Sequence, residues 1–566
     1  MIRYTVSYNN PLSHLINIVM TFEANTAQNV EVRLPTWRPG RYELGDFAKN
    51  ILRVSAKGST DGLLPMRKLN KSSWSFFVKS RQSIEISYQY YAYKMDAGNS
   101  WLHDDQLYVN PVNCLMYLPD RMTEPVELLL KLPDHYEVAT GLKKEGHQLL
   151  AESFYELADS PFIASPSLTR LTYEVDGITF HIWHHGSTDV KPAQMLEDFR
   201  KFTTTQLRLF GDLPITDYHF LLQFLPYQTY HGVEHANSTV ITLGPCTGEH
   251  TASFYEKLLG ISSHELFHAW NITRIRPAEL QPYDFSKENY FETGYVAEGF
   301  TTYYGDLMLV RSGVYGEEWC LNELNKLLSR HFQNFGRFNQ SVAESSFDLW
   351  LDGYQAGVPN RKVSIYVKGA IIALMLDFTI RISSKGKHSM DDVMRALWED
   401  LYKSGKPYKK NDIQNIAEKL AARPLQDFFD KFVDGNKPIE NELGTLAEQF
   451  GLALQKKLPD AFHERGLGFK VRADADRLVV SHVHPESGAF EILSVDDEIV
   501  NVDSETATDK MLAVFAADST IRIKRYGRTI DLSIPTGGPF YESYSLEKKK
   551  DPTAVESSLF KGWLIG

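Results

Sequence analysis

The stretch Ser262-Ser263-His264-Glu265-Leu266-Phe267-His268-Ala269-Trp270 reads H-E-x-x-H. On a helix, residues four apart lie on one face, so His264 and His268 can aim two imidazoles at one point. Glu265 stands beside them, close enough to polarise a water on a metal held there. Two neutral nitrogens, a metal and an adjacent carboxylate are the parts of a zinc hydrolase. With 18 His in 566 residues, roughly 0.04 such matches arise by chance in a chain of this composition.

A catalytic zinc takes three protein ligands and leaves a fourth position to water. The third ligand should come from a second helix nearby. Within Gly294-Tyr295-Val296-Ala297-Glu298-Gly299-Phe300-Thr301-Thr302-Tyr303-Tyr304, Glu298 is the carboxylate in an otherwise apolar and aromatic run. A carboxylate buried there needs a cation. The metal is one such cation, Arg274 or Arg276 is another, and a surface position would need neither. Glu292 is the rival ligand, nearer in sequence but at the helix start. Thr302, one turn beyond Glu298, and Asn271, three past His268, are candidates to orient the ligands.

The motif needs elements to carry it. Its helix is expected to begin near 251 and to end before Pro277, and the next to cover about 290–311. A third follows Tyr366-Val367-Lys368-Gly369 through 370–382. Helical segments at 390–404, 410–421 and 425–434 close at Gly435-Asn436-Lys437-Pro438, a run of breakers. Upstream, 178–184, 218–225 and 239–243 read as strands and 191–209 as a helix. The stretch Tyr230-His231-Gly232-Val233-Glu234-His235-Ala236-Asn237-Ser238 lies between the last two strands. Residues 1–170 alternate apolar and polar, as in 16–22, 30–34, 73–78, 84–92 and 126–132, which is the period of half-buried strands. The stretch 455–538 returns to strand and turn patterning, and the charge run at 547–552 reads as a solvated tail segment.

A chain of this length holds about two to four domains. Net charge is −12, which argues against a nucleic-acid partner. Three scattered thiols, Cys114, Cys246 and Cys320, make neither a disulfide framework nor a Cys-based zinc cluster. No basic stretch leads into an apolar one at the N-terminus, and no run of about 18 apolar residues occurs. The expectation is a cytoplasmic protein with no membrane partner.

His264-Glu265-x-x-His268 followed by Glu298-Gly299-Phe300-Thr301 resembles the gluzincin metallopeptidases. More narrowly, the chain resembles the glycyl aminopeptidase family that carries a PDZ domain. Leu34-Pro35-Thr36-Trp37-Arg38-Pro39-Gly40 is similar to a loop signature of its N-terminal β domain. Gly232-Val233-Glu234-His235 is similar to its exopeptidase motif, and Tyr366-x-Lys368-Gly369 to its tyrosine motif. Arg465-Gly466-Leu467-Gly468-Phe469 with Pro485-Glu486-Ser487-Gly488-Ala489-Phe490 resembles a PDZ module, with Asp496 where a Gly is usual.

The resemblance implies a multidomain chain. An N-terminal all-β domain (1–170) precedes a thermolysin-like α+β catalytic domain with a C-terminal helical part (171–445). A PDZ-like β domain (455–538) and a tail (539–566) follow. It implies one Zn2+ per chain on His264, His268 and Glu298, with Glu265 as general base and Tyr366 as oxyanion donor. Glu234 would pair with a free α-ammonium, while Gly232 and Val233 offer backbone groups to an extended peptide. The implied function is a zinc-dependent aminopeptidase acting on peptides with a free N-terminus and removing small residues, Gly or Ala. A peptide C-terminus at the PDZ-like module is a candidate partner. His231 and His235 depart from the motif of better-known relatives, and a bulky His231 would narrow the cleft. Two other readings use the same residues: a zinc endopeptidase, and a non-catalytic PDZ scaffold.

Overall fold

The computed structural model describes residues 1–475, 477–502, 505–507 and 520–566. The part of the expectation for 455–538 that falls on the other residues lies outside those described.

Strand alternation in the first 170 residues becomes sheet. Leu15–Ala24 buries Ile16, Ile18, Met20, Phe22 and Ala24 and turns the residues between them outward, as a pleated strand must. It lies between Ile2–Ser7 and Gln82–Tyr91 at the centre of an eight-stranded sheet. A three-stranded sheet containing Gln28–Arg33 and Ser73–Val78 shares that sheet's core. A four-stranded sheet built on Gln106–Val109 and Phe162–Ser165 joins them to the next layer.

That layer is a five-stranded sheet in the order Thr169–Val175, Ile178–His185, Asp217–Phe224, Ser238–Gly244, Thr229–Glu234. Its three middle strands run parallel and both outer strands antiparallel. The stretch expected to link two strands is thus itself a strand, at the end of the sheet. Its polar residues hid it, because an edge strand buries little.

Helices cover the sheet. Pro192–Phe210 lays Phe199, Phe202 and Leu207 on it. Thr251–Phe267 carries the H-E-x-x-H motif and stops earlier than the sequence suggests, with His268 at its end. Side chains take over the free carbonyls there. Thr273 Oγ1 donates to the His268 and Ala269 carbonyls at 2.8 and 2.9 Å, and Arg274 Nη1 to that of Ala269 at 2.5 Å. The second helix likewise starts later than expected. Tyr295–Phe300 is one wide turn of π-type helix that runs into the regular helix Thr301–Arg311. Ile365–Ser383 crosses the wide turn so closely that a Cβ on Gly299 would lie 2.4 Å from the Gly369 Cα. Only glycine at both positions permits that approach.

Leu452–Lys457 pairs with Ser543–Lys548, and between them sits a β module, six-stranded among its described residues, with its own core of Leu467, Phe469, Val480, Ile499, Ile521 and Ile523. Phe335 from the helical part packs on His484 and Tyr541 and joins the module to the rest. The charge run at 547–552 is at the surface, but the tail does not stay in solvent. Helix Ala554–Ile565 docks its Phe560 and Trp563 into the main core. Trp563 Nε1 donates to the Tyr303 hydroxyl at 2.8 Å, and Arg381 and Arg311 cap the carbonyls of Gly562 and Trp563. Among the described residues, no helix is long and apolar enough to cross a membrane.

Candidate active site

The motif helix lies beside the edge strand and against helix Thr301–Arg311. Gln206 Nε2 donates to the Ser263 carbonyl at 2.8 Å, and Ser263 Oγ donates to the Gly305 carbonyl at 2.7 Å. These bonds fix the turn that presents His264 and His268. Their Nε2 atoms lie 3.1 Å apart. Glu298 Oε2 lies 3.4 Å from His268 Nε2 and 3.8 Å from His264 Nε2. His268 is 1 % exposed and Glu298 2 %.

Neither alternative for Glu298 holds. Arg274 donates to the Ala236 and Ala269 carbonyls, and Arg276 to that of Thr273. Glu292 is at the surface, 2.9 Å from Lys410 Nζ.

The three groups fit a metal ion. His268 Nδ1 donates to the Asn271 carbonyl at 2.8 Å, so the lone pair left on its Nε2 faces His264 and Glu298. Ligands of a tetrahedral zinc stand about 3.3 Å apart, inside the spread of distances seen here. Oε2 of Glu265 is buried with no hydrogen-bond partner. Oxygens of Glu234 and Glu265 and a nitrogen of His268 all lie within 4.8 Å of one another. Three buried carboxylates on one spot demand positive charge.

The electrostatics agree. Burial would drive the His268 imidazole neutral, but Glu234, Glu298 and Glu265 outweigh it, draw positive charge to this spot and hold His268 at about 10; a metal ion on Nε2 would supply that charge in place of the proton. Burial, joined by His268, pushes His264 well down. Burial pushes the Glu265 carboxyl well up; His268 opposes the shift, and Glu234 and Glu298 add to it. Burial likewise raises Glu234.

The site faces a cavity of about 610 Å³ lined by Gly232, Glu234, His264, Glu265, Glu298 and Tyr366, among others. Glu234 is 6 % exposed and is held from behind. A Cβ on Gly40 would sit 2.5 Å from Glu234 Oε2, and one on Gly232 would sit 2.1 Å from Glu265 Oε1. The N-terminal loop around Trp37 therefore reaches the site, tied down by Trp37 Nε1 donating to the Asp284 carbonyl at 2.7 Å. Val233 differs from its neighbours: its side chain is buried with Trp183, Leu221 and Val240, so only its backbone can serve the cavity. Tyr366 lines the cavity from the start of its helix, and burial with Glu298 raises its hydroxyl. His231 also lines the cavity, 3.5 Å from Arg38 Nη2 and 3.8 Å from Asp96. Burial and Arg38 hold it at about 4, so it is neutral near pH 7.

The orienting residues are not quite those expected. Asn271 serves through its backbone carbonyl. Its side-chain Nδ2 ties the Val296 carbonyl at 2.8 Å and Thr301 Oγ1 at 3.0 Å. Thr301, not Thr302, lies next to His268 Nδ1, at 3.4 Å. Thr302 Oγ1 bonds the Glu298 carbonyl and faces the cavity. Sequence reasoning missed Arg38 and Tyr354. Arg38 is buried and its charge acts on Glu265. The Tyr354 hydroxyl accepts from the Tyr42 amide at 3.2 Å, and burial with Glu298 raises it. The signal for Arg38 was there, a cation inside a Trp-Arg-Pro-Gly loop; none marked Tyr354.

Two family models match this chain. One, described as the peptidase M61 N-terminal domain, matches residues 3–166. The other, described as M61 glycyl aminopeptidase, matches residues 257–372. Among solved structures, an aminopeptidase N family protein from Idiomarina loihiensis is 28 % identical, with a TM-score of 0.91 over 100 % of both chains. An M1 zinc metallopeptidase from Deinococcus radiodurans is a distant resemblance at 13 % identity. Its TM-score is 0.49, over 77 % of this chain and 94 % of that one. No curated protein sequence matches.

Proposed function

Because the chain belongs to the M61 glycyl aminopeptidase family and is a metallo-aminopeptidase, we propose that it removes single small residues, Gly or Ala, from the free N-terminus of peptides. The observation that carries this reading is Glu234, a buried carboxylate beside the metal-ligand cluster, aimed into the cavity and pinned by Gly40. A free α-ammonium paired with it places the first peptide bond at the ligands and leaves no room for a residue before it.

His264, His268 and Glu298 would hold one zinc, which when bound polarises the scissile carbonyl and acidifies water. Glu265, whose Oε2 is unpartnered, takes the proton of the attacking water and returns it to the leaving amine. Tyr366 donates a hydrogen bond to the oxyanion. The edge strand at Gly232 and Val233 receives the peptide backbone as a further strand would. His231, packed between Arg38 and Asp96, narrows the cavity and supports the preference for small residues. The β module that begins at Gly466-Leu467-Gly468-Phe469 is read as a PDZ domain with a candidate site for a peptide C-terminus.

Elemental analysis with a panel of aminoacyl anilides tests the reading. One zinc per chain and turnover highest on Gly and Ala anilides are expected. Cleavage of N-acetylated peptides at comparable rates would point instead to an endopeptidase.

A further inference from the structure

The roles above use one half of the cavity. The other half lies between the edge strand and the motif helix, which run along it side by side. Glu234 lies by His268, and Gly232 faces Glu265. Tyr230 lies farther on, where the charges of Asp306 and Arg330 act on its hydroxyl. On the helix, the cavity-lining positions run back from His268 through His264 and Gly260 to Lys257. A rise of 1.5 Å per residue puts Lys257 about 10 Å from His264 along the axis. Strand and helix thus give the same direction: amine at Glu234, the rest of the peptide towards Tyr230, Lys257 and Arg330.

Most charges at that far end are committed. Glu256 accepts from Trp319 Nε1 at 2.8 Å, and Glu323 pairs with Lys326 at 2.5 Å. Burial, with Glu323 beside it, holds the Asp306 carboxyl at about 7, so its negative charge is only partial near neutrality. Lys257 and Arg330 line the cavity and are exposed to its water. Among the described residues neither has an ion-pair partner.

We propose that Lys257 and Arg330 form a subsite for the α-carboxylate of a short peptide, giving this chain a preference for tripeptides and tetrapeptides with a free C-terminus. The proposal rests on the aminopeptidase reading. An extended peptide advances about 3.4 Å per residue. Two or three residues beyond the scissile bond therefore span about 7–10 Å, the length set by the helix, while a dipeptide falls short. Beyond Arg330 the cavity opens along helix Glu317–Phe332, so longer chains pass outward and the effect is a preference.

The test compares Gly-Gly-Gly and Gly-Gly-Gly-Gly as free acids with the same peptides as C-terminal amides, with glycine p-nitroanilide as the control. KM for the acids should be about ten-fold lower than for the amides. That ratio should shrink towards one for hexaglycine, and in the Lys257→Met, Arg330→Met double variant. Being internal, the ratio does not depend on how much of a variant folds. Equal KM for acid and amide at three and four residues, with the anilide turned over, overturns the subsite. Failure to turn over the anilide overturns the aminopeptidase reading beneath it.

Discussion

Glu234→Gln separates the charge of the proposed amine anchor from its shape. The carboxylate is buried between Gly40 and the His268–Glu265 pair, and Gln fills the same space. Removing one partner of a buried, hydrogen-bonded charge pair costs about 3 kcal/mol. At 1.36 kcal/mol per tenfold, that is about 150-fold in kcat/KM. The assay follows glycine p-nitroanilide, which carries a free amine, and its N-acetyl counterpart, which does not. The free-amine substrate should lose about 150-fold, and the slow residual turnover of the blocked one no more than about 3-fold, with metal content unchanged. Equal losses on both, or a loss below about 5-fold on the free amine, would falsify the anchor.

Glu265→Gln should keep its zinc and lose about 10³-fold in kcat, whereas His268→Ala should lose the zinc itself; elemental analysis and rates on Gly anilide separate the two. Asp306→Asn tests the burial of that carboxyl. Its folded value of about 7 lies above the unfolded value of 3.8, so the folded state binds the extra proton and wild-type stability falls as pH rises between them. The variant's gain in unfolding free energy should begin near pH 4, grow to about pH 7 and stay level above, reaching about 1–2 kcal/mol after allowance for cavity water. A gain equal at pH 4 and pH 8 would rule that out. Trp563→Ala removes a buried indole and its bond to Tyr303 and should cost about 3–5 kcal/mol in denaturant unfolding; a change under 1 kcal/mol would mean the last helix is not part of the core.

The pairing of His264 with His268 was legible because it depends on local periodicity. Residues four apart on a helical turn share a face, and the Nε2 atoms of His264 and His268 lie 3.1 Å apart. Glu298 was legible from its apolar neighbours, since a lone carboxylate among them needs a partner. What the chain did not disclose comes from contacts distant in sequence or from the backbone. Gly40 reaches Glu234, and Arg38 reaches His231, across nearly 200 residues. The Asn271 group that orients His268 is a carbonyl, which every residue type carries. The edge strand escaped notice because only Val233 among its residues alternates clearly into a core. The docked tail helix was obscured by the charge run before it, although Phe560 and Trp563 were its signal.

The edge strand has a consequence beyond catalysis. A strand at the end of a sheet offers unpaired amides and carbonyls to any other strand, including that of a second copy. The usual remedies include proline and bulges, and each of these would also turn away an extended peptide. Here the Gly232–Glu234 end of the strand is instead recessed between the motif helix and the loop that carries Arg38 and Gly40. On the proposed aminopeptidase reading, the walls around this strand would admit only a chain end that is already unfolded.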